Sequence, residues 1–297
     1  MALFEGSAVA LVLPMHENGE IDFEGFRQHI RRMISGGVKA LLVNGTTGET
    51  ATIDIEDEFK LIDITMEEAK GHDVKVISGA GSNDTRTAIK KALYCKKAGV
   101  DGILVVTPYY NKTSQEGLYR HFTAIADTTD LPMIVYNVPG RTGLNICVDI
   151  VKRLAKHPRI VAIKDATDDI SYAMQVLSAT RDDDFDVYSG CDDNILPLMA
   201  AGAKGVISVL SNVYPRECQL LCDYILNNDY AKARELAYDL EPVSRNLFID
   251  VNPIMPKAAL AYKGLMKPTV RLPLIETCPD KLATLITTME IFESKGY

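Results

Sequence analysis

The sequence has no cluster of basic residues, and its charge is predominantly acidic. It contains 32 Lys and Arg against 40 Asp and Glu, which gives a formal net charge of −8. Nucleic acids and anionic membranes attract proteins through clustered Lys and Arg, because these side chains neutralise phosphate groups. The charge pattern therefore argues against both kinds of partner.

Cysteines and histidines are few and scattered. Six cysteines stand at positions 95, 147, 191, 218, 222 and 278, and there are five histidines. The closest cysteines, Cys218 and Cys222, are one helical turn apart, and no second pair stands at the spacing of a zinc site. We expect reduced thiols, no metal site and no nucleophile activated by histidine.

No apolar run is long enough to span a membrane. The segment from Ser7 to Met15 is apolar but too short, and it follows Glu5 without the basic region of a signal peptide. We therefore expect a cytoplasmic protein. The chain has 297 residues, of which 47% are hydrophobic, so it can bury a large core.

Short runs rich in Val, Ile and Leu recur along the chain and predict eight strands. The runs are Val9–Leu13, Ala40–Val43, Val74–Ile77, Ile103–Val106, Met133–Tyr136, Ile160–Ile163, Val187–Ser189 and Val206–Val209. Helical periodicity separates them, with predicted start signals at Asp22, at Asp54 and at a capping box of Thr113 with Glu116. Strands buried on both faces that alternate with helices predict a parallel sheet.

Eight such units favour a closed (β/α)8 TIM barrel of the α/β class, with an open doubly wound sheet as the alternative. The Gly-rich segment Ser78–Asn83 does not complete a dinucleotide-binding fingerprint. We predict a catalytic barrel over residues 1–226 and a C-terminal helical appendage over 227–297. The helices predicted in the appendage are Asp229–Leu240, Pro256–Tyr262 and Asp280–Glu293.

Lys164 follows the apolar run 160–163, so its amine stands at the carboxyl end of a predicted buried strand. An amine condenses with a ketone only when it is neutral, and an ordinary lysine is neutral at pH 7 in roughly one molecule in a few thousand. A desolvated pocket lowers the pKa and raises this fraction. Since most lysines at strand ends are solvated, the position alone does not establish an imine-forming enzyme.

Other predicted strand ends carry groups that suit an acidic keto substrate. Active sites of (β/α)8 barrels are built from the ends of several strands. Here those ends offer backbone N–H groups, hydroxyls, phenols and a guanidinium, all of which bind carboxylates or transfer protons. In chain order they are the loop Asn44–Glu49, Tyr110, Tyr136, Arg141, Gly190 and Ile207.

Several long strings resemble those of one enzyme family. They are GTTGE from Gly45, TPYYNK from Thr107, SQEGLYRHF from Ser114, YNVPGRTG from Tyr136, GVISV from Gly205 and NPIMPKAAL from Asn252. The chain resembles the dihydrodipicolinate synthase (4-hydroxy-tetrahydrodipicolinate synthase) family, within the pyruvate-dependent class I aldolases that include N-acetylneuraminate lyase. The resemblance runs from Gly6 to about Pro273.

This resemblance implies a lyase that condenses pyruvate with L-aspartate 4-semialdehyde in lysine and diaminopimelate biosynthesis. Lys164 would form an imine with pyruvate, and Tyr136, Thr47 and Tyr110 would relay protons. No cofactor is implied, because the imine itself is the electron sink.

The resemblance also implies binding roles and an assembly. Thr46 and the backbone of Thr47 would hold the pyruvate carboxylate, with Gly190 and Ile207 also in contact with substrate. Arg141 would bind the carboxylate of the semialdehyde. The family residue that matches Tyr110 reaches a neighbouring subunit's site, so a homotetramer built as a dimer of dimers is implied.

Two departures from the family pattern qualify these expectations. Asp165 stands where the family commonly has Glu, and Asp168-Asp169 occupy a stretch in which the family commonly has Gly. We expect both differences to have small effects on activity, since neither would contact the imine. The second departure concerns feedback by lysine. Sensitive members carry histidines and a glutamate at the positions of Ile55, Glu58 and Thr87, although Asn83 and Tyr109 are retained. We expect weak or absent inhibition by L-lysine.

Two other functions, and a purely structural interpretation of Lys164, stay open from the sequence. A sialic acid or 2-keto-3-deoxy sugar acid lyase would share Lys164 and Tyr136, but a polyol substrate would favour hydroxyl and amide contacts over Arg141. A barrel without catalysis could bind a keto acid as a sensor. Lys164 could also be a structural lysine, in which case a Lys164→Ala variant would keep full activity.

Overall fold

The structure is a computed structural model that describes residues 2–297. Eight parallel strands form a closed barrel, in which strands that are consecutive in sequence are neighbours in the sheet. They are β1 (Gly6–Ala10), β2 (Ala40–Val43), β3 (Lys75–Gly79), β4 (Gly102–Val106), β5 (Met133–Asn137), β6 (Ile160–Asp165), β7 (Asp186–Ser189) and β8 (Gly205–Ser208). The predicted (β/α)8 barrel is confirmed.

Contacts within the chain divide it into two units. The first contains residues 2–5 and 75–207, and the second contains residues 6–74 and 208–297. The helices of the first unit are α3 (Thr85–Ala98), α4 (Gln115–Thr129), α5 (Pro139–Thr142), α6 (Val148–Leu154), α7 (Ile170–Thr180) and α8 (Ile195–Ala200). The helices of the second are α1 (Phe23–Ser35), α2 (Ile55–Ala69), α9 (Pro215–Leu226), α10 (Tyr230–Asn246), α11 (Ile254–Tyr262) and α12 (Pro279–Glu293).

Strand register in the first unit aligns the residues that matter for the site. Tyr136 on β5 is paired with Lys164 on β6, and Lys164 is paired in turn with Tyr188 on β7. Side chains of paired residues on parallel strands point to the same face of the sheet. The register therefore brings the phenol of Tyr136 next to the amine of Lys164.

The first strand lies three residues earlier in the chain than predicted. β1 covers Gly6–Ala10 instead of Val9–Leu13, and its register pairs Ala8 with Ala40. The chain stays buried from Gly6 to Met15, so hydrophobicity did not mark where the strand ends. Hydrogen bonding to β2 decides the boundary.

The helix starts were predicted with mixed success. Asp22 caps α1 by accepting from the backbone N–H of Gly25, as expected. The capping box of Thr113 with Glu116 is wrong, because the hydroxyl of Ser114 accepts from the Gly117 N–H and α4 begins one residue later. Thr and Ser stand side by side there, and both residue types cap helices well.

The C-terminal helices were predicted correctly in number and order. α10 continues beyond Leu240 to Asn246, although Pro242 stands inside it. Proline ordinarily interrupts a helix, because it lacks an N–H group. Here Val243 and Ser244, which follow it, are buried, so packing extends the helix.

Candidate active site

Lys164 is a buried amine with a lowered pKa. Its residue is 5% exposed at the end of β6. Burial lowers the pKa of Lys164 from 10.5 to about 8; Cys191 and Asp192 oppose that shift, and Arg141 adds to it. With this pKa the amine is neutral at pH 7 in about one molecule in ten, compared with one in a few thousand for an ordinary lysine. Lys164 is therefore suited to attack a carbonyl group.

Tyr136 places a neutral phenol against this amine. The Lys164 Nζ atom lies 4.3 Å from the centroid of the Tyr136 ring. Burial raises the pKa of Tyr136 to about 12, while Arg141 opposes the shift. A phenol that stays protonated at pH 7 can both donate and accept a hydrogen bond, which is what a proton relay next to a reacting amine requires.

Gly190 allows the chain to pass close to Lys164. A Cβ atom at this position would lie 2.7 Å from Ala166 Cβ and 3.1 Å from Lys164 Cε. Its N–H donates to the carbonyl of Asp165 at 2.7 Å. The same Cβ would lie 2.9 Å from the Asp165 carbonyl oxygen, so a larger residue would shift the segment that follows Lys164, which gives this predicted site residue a steric role.

Cys191, the next residue, is a protonated thiol. Burial and the neighbouring Asp168, Asp193 and Asp192 raise the pKa of the Cys191 thiol to about 12, against a small opposing effect of Lys164. A thiol is nucleophilic only as the thiolate. Cys191 thus does not compete with Lys164 as a nucleophile at neutral pH.

Arg141 is exposed on the short helix α5, which follows β5. Its charge affects the pKa of both Lys164 and Tyr136. The helix is fixed from within the unit, since the Thr107 hydroxyl donates to Thr142 Oγ1 at 3.0 Å. Arg141 is therefore near enough to Tyr136 and Lys164 for its charge to act on both.

A polar network behind β5 was not predicted. Asn137 is fully buried, and its amide donates to Asn145 Oδ1 at 2.8 Å and to the Tyr172 hydroxyl at 3.1 Å. Its oxygen accepts from the Ile146 N–H at 3.2 Å. These bonds hold the segment after Arg141 against the strand that carries Tyr136. A buried asparagine directly after a site tyrosine was the available signal.

Asp165 points to the opposite face of β6 from Lys164. Successive residues of a strand point to opposite faces, and the Asp165 carboxylate accepts from the Thr167 N–H at 3.1 Å. Burial raises the pKa of Asp165 to about 6, against the hydrogen bonds from Thr167. This departure from the family pattern therefore lies behind the strand that presents the amine.

Ile207 and Tyr110 occupy very different environments. Ile207 lies in β8 and is fully buried. Tyr110 is 91% exposed and has a positive φ of 67°, a region that costs energy for a residue with a Cβ. An exposed aromatic side chain on a strained backbone is one that another molecule can contact.

Thr46 and Thr47 lie in the second unit, on a 3₁₀ turn after β2. Thr47 is 2% exposed, and its Oγ1 accepts from the Asn252 side-chain amide at 2.9 Å. Gly48 passes close to the segment that follows β1, because an added Cβ would lie 3.2 Å from the Leu11 carbonyl oxygen. Thr46 is exposed on this turn, whereas the side chain of Thr47 is held by Asn252.

Residues 2–297 contain no group of three or more His, Cys, Asp or Glu that could hold a metal ion. None of the helices in this part of the chain is long and apolar enough to cross a membrane. The six cysteines are all free thiols. In the Gly-rich segment after β3, Gly81 is explained by packing, since an added Cβ would lie 2.6 Å from the Val106 backbone nitrogen.

A family model described as the Dihydrodipicolinate synthetase family matches residues 3–291. The chain belongs to the dihydrodipicolinate synthetase family. This confirms the resemblance inferred from the six strings. The match covers every residue that was predicted as a site residue.

Individual members of the dihydrodipicolinate synthetase family are similar over almost their whole length. A protein of Exiguobacterium sibiricum named 4-hydroxy-tetrahydrodipicolinate synthase is 46% identical over 291 residues, which cover 98% of this chain and 99% of the relative. The dihydrodipicolinate synthase structure from Thermotoga maritima is 40% identical with a TM-score of 0.95, covering 98% of this chain and 99% of that one. The chloride-inhibited enzyme from Acinetobacter baumannii, complexed with pyruvate, is 37% identical with a TM-score of 0.95 and the same coverage.

Proposed function

We propose that this chain condenses pyruvate with L-aspartate 4-semialdehyde to give 4-hydroxy-tetrahydrodipicolinate, in the biosynthesis of diaminopimelate and lysine. The observation that carries the proposal is the buried amine of Lys164, with its lowered pKa, 4.3 Å from the ring of Tyr136. Its near full-length similarity to an enzyme named for this reaction supports the same substrate pair.

The chemistry begins at the neutral amine. Lys164 Nζ attacks the ketone carbon of pyruvate, and loss of water gives an imine. The imine withdraws electrons from the methyl group, so removal of a methyl proton gives an enamine. The enamine carbon attacks the aldehyde and forms the new C–C bond. The amino group of the semialdehyde then displaces Lys164 from the imine carbon, which closes the ring and frees the enzyme.

Proton transfer in these steps is assigned to Tyr136, with Thr47 and Tyr110 completing a relay to solvent. The neutral phenol of Tyr136 supports its own role. The roles of Thr47 and Tyr110 come from the family resemblance. A (β/α)8 barrel presents residues that follow its strands at one face, which is where such a relay belongs.

Substrate carboxylates are assigned to two different groups. Thr46 and the backbone of Thr47 hold pyruvate, and Gly190 and Ile207 are also assigned contact with substrate. Arg141 holds the carboxylate of the semialdehyde, since a guanidinium binds a carboxylate through two parallel hydrogen bonds. A guanidinium also favours this substrate over the polyol chain of a sugar acid, which is the main alternative.

Three further features belong to the proposal. The chain is a homotetramer built as a dimer of dimers, which the exposed Tyr110 side chain supports. It acts in the cytoplasm. L-lysine inhibits it weakly or not at all, because Ile55, Glu58 and Thr87 replace the residues of sensitive members; half-inhibition at submillimolar lysine would contradict this.

The test is turnover of aspartate 4-semialdehyde with pyruvate, coupled to the reductase that consumes the product. We expect turnover in the wild type and none in Lys164→Ala, with an Arg141→Ala variant that still traps pyruvate under borohydride but has a raised KM for the semialdehyde. Turnover that survives in Lys164→Ala would mean that the lysine is structural. Pyruvate trapping without semialdehyde turnover would redirect the search to sugar-acid cleavage.

A further inference from the structure

A fully buried ion pair lies in the second unit next to the Thr46–Thr47 turn. Lys257 Nζ donates to Glu49 Oε1 at 2.7 Å, and the two side chains are 0% and 2% exposed. Glu49 is two residues beyond Thr47, and Lys257 lies on α11. Removing two charges from water is unfavourable unless the geometry compensates for it. A dry ion pair at this place therefore requires an explanation.

The backbone of Glu49 indicates that its side chain is required. Its φ of 54° and ψ of 29° place it in the left-handed region, which is unfavourable for any residue with a Cβ. Its N–H donates to the carbonyl of Thr46 at 3.0 Å, and its own carbonyl accepts from the Thr52 N–H at 2.9 Å. Glycine would fit this backbone without strain, so it is the carboxylate that the position needs.

The carboxylate links the turn to distant parts of the chain. While Oε1 accepts from Lys257, Oε2 accepts from the backbone N–H of Arg271 at 2.9 Å. The Arg271 guanidinium donates in turn to the carbonyl of Thr52 at 2.6 Å. The loop after the 3₁₀ turn is thus held at two points by segments more than two hundred residues away in sequence.

The segment before α11 also contacts the turn. Asn252 Nδ2 donates to Thr47 Oγ1 at 2.9 Å. A hydroxyl that accepts a hydrogen bond from an amide keeps its own proton for another acceptor. The contact therefore holds the Thr47 side chain in place and leaves its proton available to another acceptor.

We propose that Glu49 and Lys257 are positioning residues for pyruvate, whose ion pair fixes the Thr46–Thr47 turn in the geometry that receives the pyruvate carboxylate. The inference rests on the proposed function. Neither residue is assigned contact with substrate, so both act through the turn. Since the semialdehyde carboxylate is assigned to Arg141, loss of the pair weakens the binding of pyruvate and not of the second substrate.

The experiment measures the pyruvate concentration that half-saturates borohydride trapping on Lys164, together with KM for each substrate and the melting temperature. We expect Lys257→Met to raise the half-saturating pyruvate concentration about tenfold, which corresponds to about 1.4 kcal/mol, with KM for the semialdehyde unchanged within about twofold. Adding Glu49→Gln removes the unpaired buried charge, so the double variant regains stability but keeps the weakened pyruvate binding.

Two further variants separate positioning from stability. Gln219→Leu removes a buried hydrogen bond from the Ser7 N–H and a half-buried one to Asp223 in the same unit, so it lowers the melting temperature and leaves pyruvate binding as in the wild type. Glu49→Gln alone keeps the side-chain size and an acceptor for Lys257. It serves if Lys257→Met does not fold, and its expected rise in half-saturating pyruvate is about threefold.

The outcomes distinguish the inference from the function on which it rests. If Lys257→Met has a lowered melting temperature but is half-saturated at the wild-type pyruvate concentration, the ion pair is only structural and the inference is wrong. The proposed function would still stand in that case, provided that the wild type turns over both substrates. The same holds for an unchanged Glu49→Gln. If the wild-type chain traps no pyruvate, both the function and the inference are wrong.

Discussion

The lowered pKa of Lys164 predicts that removing the amine stabilises the protein while it abolishes activity. Below pH 8 the folded chain holds a charged amine in a site where burial disfavours the charge, whereas the unfolded chain holds it in water. The gap from 10.5 to about 8 corresponds to about 3 kcal/mol, at about 1.4 kcal/mol per pH unit. Replacing Lys164 by Met, of similar length, removes this cost. We expect Lys164→Met to gain between about 1 and 3 kcal/mol at pH 7.

The sign of the pH dependence identifies the cause. Between pH 8 and 10.5 the unfolded chain binds more protons at this lysine than the folded chain, so the stability of the wild type rises with pH in this window. The variant has no such group. Its advantage must therefore shrink as the pH rises, to less than about 1 kcal/mol near pH 10.5.

The assay is urea unfolding followed by far-UV circular dichroism, without substrate, at pH 7 and pH 10.5. The matched control is Lys152→Met on the exposed face of α6, which should change stability by no more than about 0.5 kcal/mol. Groups that titrate equally in wild type and variant cancel in the difference. The reasoning is refuted if Lys164→Met is no more stable than wild type at pH 7, or if its gain is equal at both pH values.

Three other outcomes are expected at the same site. Tyr136→Phe should lower kcat by about 100-fold or more while pyruvate trapping persists, because only the hydroxyl is lost; stopped-flow turnover against trapping measures this, and an unchanged kcat would remove Tyr136 from the relay. The rate of imine formation, followed by rapid quench from pH 6 to 9, should rise about tenfold per pH unit and level off above about pH 8; a flat profile would contradict the lowered pKa. Gly190→Ala should lower trapping even in folded protein, because its Cβ would clash with Ala166 Cβ and the Asp165 carbonyl oxygen and so move the segment that follows Lys164; trapping at the wild-type level would show that this segment can shift without harm to the site.

The sequence predicted the barrel and the residues at its strand ends because both follow from local patterns. Apolar runs marked seven of the strands closely, and the register of β5 and β6 then placed Tyr136 beside Lys164. Boundaries failed where the local signal was uniform, as in the continuously buried segment that contains β1. The capping box failed where Thr113 and Ser114 offered equivalent hydroxyls to the start of α4.

Residues that support the site from behind were beyond such patterns. Lys257 stands in a segment with helical periodicity, where a single lysine ordinarily points to solvent. Its partner Glu49 is 208 residues away. Glu49 ends a loop in which the predicted roles went to Thr46 and Thr47, so nothing in the sequence pointed to its carboxylate. Asn137 was noticed only as part of the string that begins at Tyr136, and its buried hydrogen bonds to Asn145 and Tyr172 were not predicted. Long-range pairing of polar side chains depends on the folded geometry, which periodicity does not contain.

The chain buries two lysines, and their surroundings explain why only one is assigned to chemistry. Lys257 donates to a carboxylate at 2.7 Å, so its charge is compensated and the ion pair links two segments. Burial lowers the pKa of both lysines, but Lys257 has a carboxylate beside it that opposes the shift, whereas Lys164 lies over the ring of Tyr136 at 4.3 Å, where a phenol can carry protons. A reactive amine needs its charge disfavoured and a route for its proton, whereas a structural amine needs its charge matched. Burial alone therefore does not identify the nucleophile; the group that faces the amine does.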